Sequence, residues 1–135
     1  MFNTNRWLYW VGASTLVCLI AACAAPVQYA PSRLAAPAAA VGQEPNRSVE
    51  ETLVVKLPTG FKREIGKGSL WRAAGAIAEG DVFRPVGTVF TIEGRQVHEA
   101  WLVVSGGTLV GFYLPGDQAY SALASPLPLK LGGLQ

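Results

Sequence analysis

The chain has 135 residues, which is enough for one ordinary domain. Its formal net charge is +2, and subtracting Arg6, the one charged residue among residues 1–22, leaves +1, so no strongly basic surface supports nucleic-acid binding. The 2 cysteines are too few for the disulfide framework that stabilises many small exported domains.

Residues 1–22 have the composition of an export signal. Arg6 supplies the positive charge, and the stretch between it and Cys23 is uncharged, mostly apolar and ends in small residues. A permanent transmembrane helix is the alternative, because the uncharged run continues to Ala25 and is long enough to span a bilayer. Pro26, directly after this run, counts against that alternative.

The stretch Leu19-Ile20-Ala21-Ala22-Cys23 resembles the lipobox of bacterial lipoproteins, in which an aliphatic residue and two small residues precede a cysteine. This resemblance implies cleavage between Ala22 and Cys23. It also implies a diacylglyceryl group on the thiol of Cys23 and a fatty acid such as palmitate on its new amine. Two or three acyl chains make a stable membrane anchor, since each buried methylene contributes about 0.8 kcal/mol.

The residues after Cys23 bear on location. In Gram-negative lipoproteins an aspartate directly after the cysteine favours retention in the inner membrane, whereas Ala24 and Ala25 stand here. The resemblance therefore predicts a protein of the cell envelope, held by membrane lipid through Cys23 on the outer membrane and facing the periplasm.

Residues 23–48 are rich in alanine and proline. Pro26, Pro31, Pro37 and Pro45 interrupt the alanine runs and disfavour helix. We predict a disordered, lipid-anchored linker, semi-stiff and extended. At about 3.1 Å per residue, a fully polyproline-like linker of roughly 25 residues would reach about 75 Å.

Residues 49–128 have the alternating pattern of a small β-rich domain, and residues 129–135 form a tail. The predicted strands outside the central hairpin are 52–57, 61–65, 82–84 and 88–93.

The strongest local pattern is a hairpin in which residues 98–104 and 109–114 flank Gly106-Gly107. A two-residue turn pairs Ser105 with Thr108, and a regular register then places Val103 beside Val110 and Trp101 beside Phe112. Both faces of the hairpin are apolar, which predicts a central position in the fold.

Two segments are ambiguous between helix and strand. Residues 69–80 fit a helix that begins at Ser69 and ends at Gly80, but Gly75 and an equally good alternating pattern favour a strand followed by a turn at 78–81. For residues 118–124 we predict a short C-terminal helix.

The expected fold is mainly β, a small antiparallel roll or partly open barrel with that short C-terminal helix. It becomes α+β if residues 69–80 are helical. A domain this small without a disulfide buries only about 60% of its unfolded surface, so aromatic side chains must supply much of the core. The candidates are Trp71, Phe83, Phe90, Trp101, Phe112 and Tyr113.

The sequence predicts no catalytic residue, cofactor or metal site. His98 is the 1 histidine, and its neighbour Glu99 would point to the opposite face of a strand. Arg72 and Arg84 fall on neighbouring predicted strands, and with Trp71 they are the candidate residues for binding a partner.

We therefore expect a non-enzymatic binding or assembly module with an envelope protein as its partner. In layout the chain resembles small lipoproteins of secretion and conjugation machines, although this resemblance covers only the signal and the linker. The alternative is a periplasmic inhibitor or small-ligand-binding lipoprotein, similar in size and anchoring to lipoprotein lysozyme inhibitors. Their disulfide is absent from residues 24–135.

Overall fold

A computed structural model describes residues 24–37 and 43–133. The predicted signal peptide, its cleavage site and Cys23 lie outside these residues. Within the described ranges all regular structure is β-strand, which confirms the mainly β prediction. None of the described segments is a helix of the length and apolarity needed to cross a membrane.

The strands form three antiparallel sheets. The strands are β1 (Ala30–Pro31), β2 (Asn46–Val49), β3 (Leu53–Lys56), β4 (Lys62–Ile65), β5 (Leu70–Ile77), β6 (Gly80–Pro85), β7 (Thr91–Glu93), β8 (Val97–Glu99), β9 (Trp101–Ser105), β10 (Thr108–Leu114), β11 (Ala119–Pro128) and β12 (Leu131–Gly133). The main sheet has 8 strands in the order β1-β11-β10-β9-β6-β5-β2-β12, and β3–β4 and β7–β8 are separate two-stranded hairpins.

The main sheet curls but does not close. Only Leu129 and Lys130 join β11, near one edge of the strand order, to β12 at the other edge. The amide of Leu129 donates to the Gly107 carbonyl at 2.9 Å, and the Glu50 amide donates to the Lys130 carbonyl at 3.0 Å. A connection this short requires the two edges to approach each other, although β1 and β12 are not paired.

One face of the curled sheet carries the principal core. Trp71 and Phe90 pack edge to face with ring centroids 5.4 Å apart, and Phe90 contacts Phe112 at 5.7 Å. Aliphatic side chains from all three sheets complete this core, among them Val55, Ile65, Ile92, Leu102, Leu109 and Leu114. The expected aromatic contribution to the core is confirmed for these three rings.

A second, smaller cluster lies on the other face of the main sheet. Its buried members are Ile77, Val82, Val103 and Tyr113, with Leu34, Ala74, Trp101, Val110 and Tyr120 packed against them. The rings of Trp101 and Tyr113 are 5.9 Å apart. The sheet is therefore covered on both faces, as the apolar pattern of the central hairpin predicted.

The hairpin β9–β10 has the predicted turn but only part of the predicted register. Ser105 pairs with Thr108 as expected, and then a bulge at Val110 places Val103 opposite Gly111 and Trp101 opposite Tyr113. The predicted pairs of Val103 with Val110 and of Trp101 with Phe112 are wrong. The physical reason is that the bulge allows both Leu109 and Phe112, each fully buried, to point into the principal core.

Residues 70–77 form the strand β5, so the helical alternative for residues 69–80 is wrong. Trp71 and Ile77 reach different clusters, because a bulge between Ala73 and Gly75 shifts the alternation of side chains.

The predicted helix at residues 118–124 is also wrong, because Gln118 lies in a turn and residues 119–124 belong to the strand β11. Ala119, Ser121 and Leu123 are buried while Ala122 and Ala124 are exposed, which is the period of a strand with one covered face. Pairing with β10 thus overrides the helical preference of the alanines.

The described part of the predicted linker contacts the domain instead of extending from it. In residues 24–37, which we call the N-terminal segment, β1 pairs with β11 and Ala35 forms a bridge with Ala76. The strand β2 begins at Asn46, inside the range predicted as linker, and pairs with β5. A proline- and alanine-rich segment cannot order itself, but here the sheet supplies its hydrogen-bond partners.

Candidate functional site

The structure brings Arg72 and Arg84 together. The turn at Ala78 and Glu79 joins β5 to β6, and the antiparallel register places Arg72 directly opposite Arg84. Both side chains are half-buried and line one shallow cleft. The prediction that the two arginines are neighbours on adjacent strands is confirmed.

Trp71 does not belong to this cleft, which corrects the predicted surface of Trp71, Arg72 and Arg84. Trp71 is 2% exposed and packs in the principal core, where its indole nitrogen donates to Ser69 Oγ at 3.0 Å. Neighbouring residues of a strand point to opposite faces, so Trp71 and Arg72 are on different sides of the sheet.

Trp101 is the aromatic residue of the cleft, a position that the sequence pattern does not predict. Its indole nitrogen donates to Glu99 Oε1 at 3.1 Å, and its ring packs against Tyr113. The cleft forms because β6 pairs with β9, a pairing between strands that are not consecutive along the chain. No local sequence pattern predicts that pairing.

The cleft is small and has one wall supplied by the linker region. Its volume is about 150 Å³. The lining residues are Leu34, Pro37, Glu44, Arg72, Ala73, Ala74, Arg84 and Trp101. Ligand pockets usually measure about 300–1,000 Å³, so a cleft of this size suits one side chain or one small anionic group.

Glu44 also lines the cleft, but neither guanidinium group has a carboxylate oxygen within 4.0 Å among the described residues. Arg72 Nε donates to Asn46 Oδ1 at 2.9 Å, which orients the group without neutralising it. Within residues 24–37 and 43–133, basic side chains lie within 4.0 Å of a carboxylate at His98–Asp117 and Lys130–Glu51, and neither contact involves a cleft arginine. Two cations directly opposite each other in a sheet repel, and a bound carboxylate would relieve this repulsion.

His98 lies outside the cleft and contacts two residues that are distant from it in the sequence. Its Nδ1 is 2.9 Å from Asp117 Oδ2, and the ring of Tyr29 packs edge-on at 5.9 Å. Glu99 bonds to Trp101 instead, as expected for a neighbour that points to the other face. In the part of the chain that the structure describes, no group of three or more histidine, cysteine, aspartate or glutamate side chains could hold a metal ion.

Among the described residues, Tyr120 is the titratable side chain whose pKa is clearly shifted by its surroundings. Burial, and then the nearby charge of Glu79, raise the pKa of the Tyr120 hydroxyl above 10.0. The hydroxyl donates to the Val110 carbonyl at 3.0 Å, beside the bulge of β10. Its chemistry is therefore that of a neutral hydrogen-bond donor within the second cluster.

Comparison with known proteins identifies no relative. No protein-family model, no curated protein and no solved structure matches the chain. The predicted cleavage and lipidation site, Ala22 and Cys23, lies outside the described residues. The structure therefore gives the geometry of the arginine cleft alone among the predicted sites. Function is therefore inferred from the chain's own residues.

Proposed function

We propose that the protein is a lipid-anchored protein of the cell envelope that binds a partner protein and catalyses no reaction. The anchor is Cys23, because the pattern from Leu19 to Cys23 resembles a lipobox. The two alanines after Cys23 favour the outer membrane, with the domain facing the periplasm. The curled, antiparallel sheet, a small roll or partly open barrel, acts as the platform for binding.

The partner binds at the Arg72–Arg84 cleft through a carboxylate. The observation that carries this proposal is the direct opposition of two half-buried guanidinium groups without a carboxylate within 4.0 Å in the described chain. Guanidinium groups bind carboxylates with two parallel hydrogen bonds, and the small cleft volume matches an aspartate or glutamate side chain or a C-terminus. Trp101 supplies an apolar wall for the carbon atoms of that group.

The binding proposal is tested by cross-linking in intact envelopes followed by purification of the protein. We expect the double variant Arg72→Gln/Arg84→Gln to recover at least tenfold less partner than the wild type. The matched control is Lys67→Gln/Lys130→Gln, since it also removes two positive charges, at exposed residues outside the cleft. Equal recovery by the double variant and the control would show that the cleft does not bind the partner.

The identity of the cross-linked partner separates the two candidate functions. A stoichiometric complex with a large envelope assembly supports an assembly module. Recovery of a single hydrolase supports the alternative, an inhibitory lipoprotein that uses the same arginine cleft.

The anchor is tested with Cys23→Ser. We expect this variant to incorporate no labelled palmitate and to leave the membrane fraction, because no other cysteine follows the cleavage site. A variant that remains membrane-bound without lipid would instead indicate that residues 7–22 are an uncleaved transmembrane anchor.

A further inference from the structure

The N-terminal segment is fixed to the domain almost as far as the proposed anchor. Val27 is 5% exposed and belongs to the principal core. Ser121 Oγ donates to the Gln28 carbonyl at 2.7 Å. A Cβ added at Gly94 would lie 2.8 Å from the carbonyl oxygen of Ala25, so the two backbones are in close contact. The chain therefore packs on the domain from its first described residues.

Ala24 and Ala25 lie beside two hairpin turns. They line a shallow hollow of about 300 Å³ together with residues of the β3–β4 turn and the β7–β8 turn. We call this set the anchor rim: Ala24, Ala25, Thr59, Phe61, Glu93 and Gly94. Consecutive Cα atoms are about 3.8 Å apart, so a lipid on Cys23 begins within a few ångströms of the rim.

The anchor rim has exposed cations on both sides. Lys62 follows Phe61 and pairs across the hairpin with Lys56, and both lysines are exposed. Arg95 follows Gly94 and is also exposed. The exposed carboxylates here are Glu93 in the rim and Glu64, two residues after Lys62 on β4, so the three cations are in excess. Each lysine or arginine near an anionic membrane strengthens binding by roughly fivefold.

From this placement, and resting on the proposed lipid anchor at Cys23, we infer that the anchor rim sits directly on the membrane surface. Lys56, Lys62 and Arg95 contact the headgroups of anionic phospholipids in the bilayer that holds the anchor. The domain therefore meets its partner at the membrane, and not at the end of a spacer about 75 Å long.

A pair of single-cysteine variants tests this orientation in the mature, lipidated protein. After cleavage and lipidation the chain has no free thiol, so one introduced cysteine accepts a fluorophore specifically. Thr59→Cys places the probe in the anchor rim. Ser105→Cys, the matched control, places it at the exposed β9–β10 turn, at the other end of β9 from Ala100 and the β7–β8 hairpin.

Both proteins are reconstituted into vesicles of phosphatidylethanolamine and phosphatidylglycerol that contain a lipid with a quencher on its headgroup. We expect quenching at position 59 to exceed that at position 105 by at least fivefold. Equal quenching at the two positions, with a lipid found on Cys23 by mass spectrometry, would overturn the orientation and leave the proposed anchor intact. A Cys23 without lipid would overturn the proposed anchor, and the orientation with it.

A charge-reduced variant tests the part played by anionic lipid. In the Thr59→Cys protein, we expect Lys62→Gln/Arg95→Gln, which leaves Lys56 in place, to reduce by at least half the extra quenching seen in anionic compared with zwitterionic vesicles. Lys67→Gln/Lys130→Gln removes the same charge from exposed positions outside the rim and should leave that difference unchanged. If the rim variant behaves like this control, the rim does not bind anionic headgroups.

Discussion

Gly75 lies so close to Ala35 that a Cβ on Gly75 would overlap the Ala35 carbonyl group. Ala35 and Ala76 form an isolated bridge here, in which the Ala35 amide donates to the Ala76 carbonyl at 2.8 Å and the Ala76 amide donates to the Ala35 carbonyl at 3.0 Å. Gly75 also has a φ of 136°, a conformation that residues with a side chain rarely adopt. Gly75 is therefore the residue that allows the N-terminal segment to pack on the sheet.

We predict that Gly75→Ala releases the N-terminal segment. The steric overlap and the positive φ together should lower the free energy of unfolding by about 1–3 kcal/mol. Limited proteolysis should then cut faster within residues 30–37. Gly66→Ala is the control, since nothing lies within 4 Å of a Cβ there, and unchanged proteolysis of Gly75→Ala would contradict the tight packing.

A second glycine is required in the bulge of β10. A Cβ on Gly111 would overlap the Ser121 carbonyl and lie 2.6 Å from the ring of Tyr120. We expect Gly111→Ala to lower the free energy of unfolding by about 1–3 kcal/mol, measured by chemical denaturation. Gly116→Ala, at an open turn position, should change it by less than about 0.5 kcal/mol. Equal stabilities of the two variants would mean that β11 can move away from β10.

The sequence predicts the parts of this fold that depend on local pattern. The Gly106-Gly107 turn follows from the conformational demands of a two-residue loop, and the alternating pattern of residues 69–80 favours the strand β5, although it does not predict the bulge between Ala73 and Gly75. The strand β11 is not predictable in this way, because alanine favours helix and residues 119–124 are extended through pairing with β10 and β1.

The same distinction applies to the candidate site. The proximity of Arg72 and Arg84 follows from a short hairpin. The placement of Trp71 in the core and of Trp101 in the cleft depends instead on which face of the sheet each side chain occupies. The faces are set by bulges and by the pairing of β6 with β9, which the sequence does not encode locally.

The two tryptophans should respond differently to substitution. Trp71→Ala removes a fully buried ring and should lower the free energy of unfolding by about 3–5 kcal/mol. Trp101→Ala should destabilise the domain less, because Trp101 is only half-buried, but it should weaken partner recovery in cross-linking. Both quantities are measured on the same variants, and greater instability of Trp101→Ala would contradict the core assignment of Trp71.

Tyr120 should make the free energy of unfolding depend on pH in the alkaline range. Its pKa is raised above 10.0 by burial and then by Glu79, so the neutral hydroxyl is favoured more in the folded than in the unfolded chain. This contribution is complete below pH 10.0 and is lost as the pH rises through the higher, folded-state pKa. Above about pH 10, the unfolding free energy of the wild type should therefore fall relative to that of Tyr120→Phe. Tyr29→Phe, at a ring that is 50% exposed, is the control, and parallel pH profiles of the wild type and Tyr120→Phe would contradict the burial effect.

Arg84→Gln separates a binding role from a structural role for the arginine pair. Because Arg84 faces Arg72 and has no carboxylate within 4.0 Å in the described chain, its removal relieves repulsion. We expect the free energy of unfolding to rise by about 0.2–1 kcal/mol at low salt, with the gain disappearing at about 1 M salt, where the Debye length is about 3 Å. Lys67→Gln should show no such gain, since Lys67 lies at an exposed turn. A stability loss greater than about 1 kcal/mol in Arg84→Gln would show that Arg84 stabilises the fold. The main argument for partner binding at the cleft would then fail.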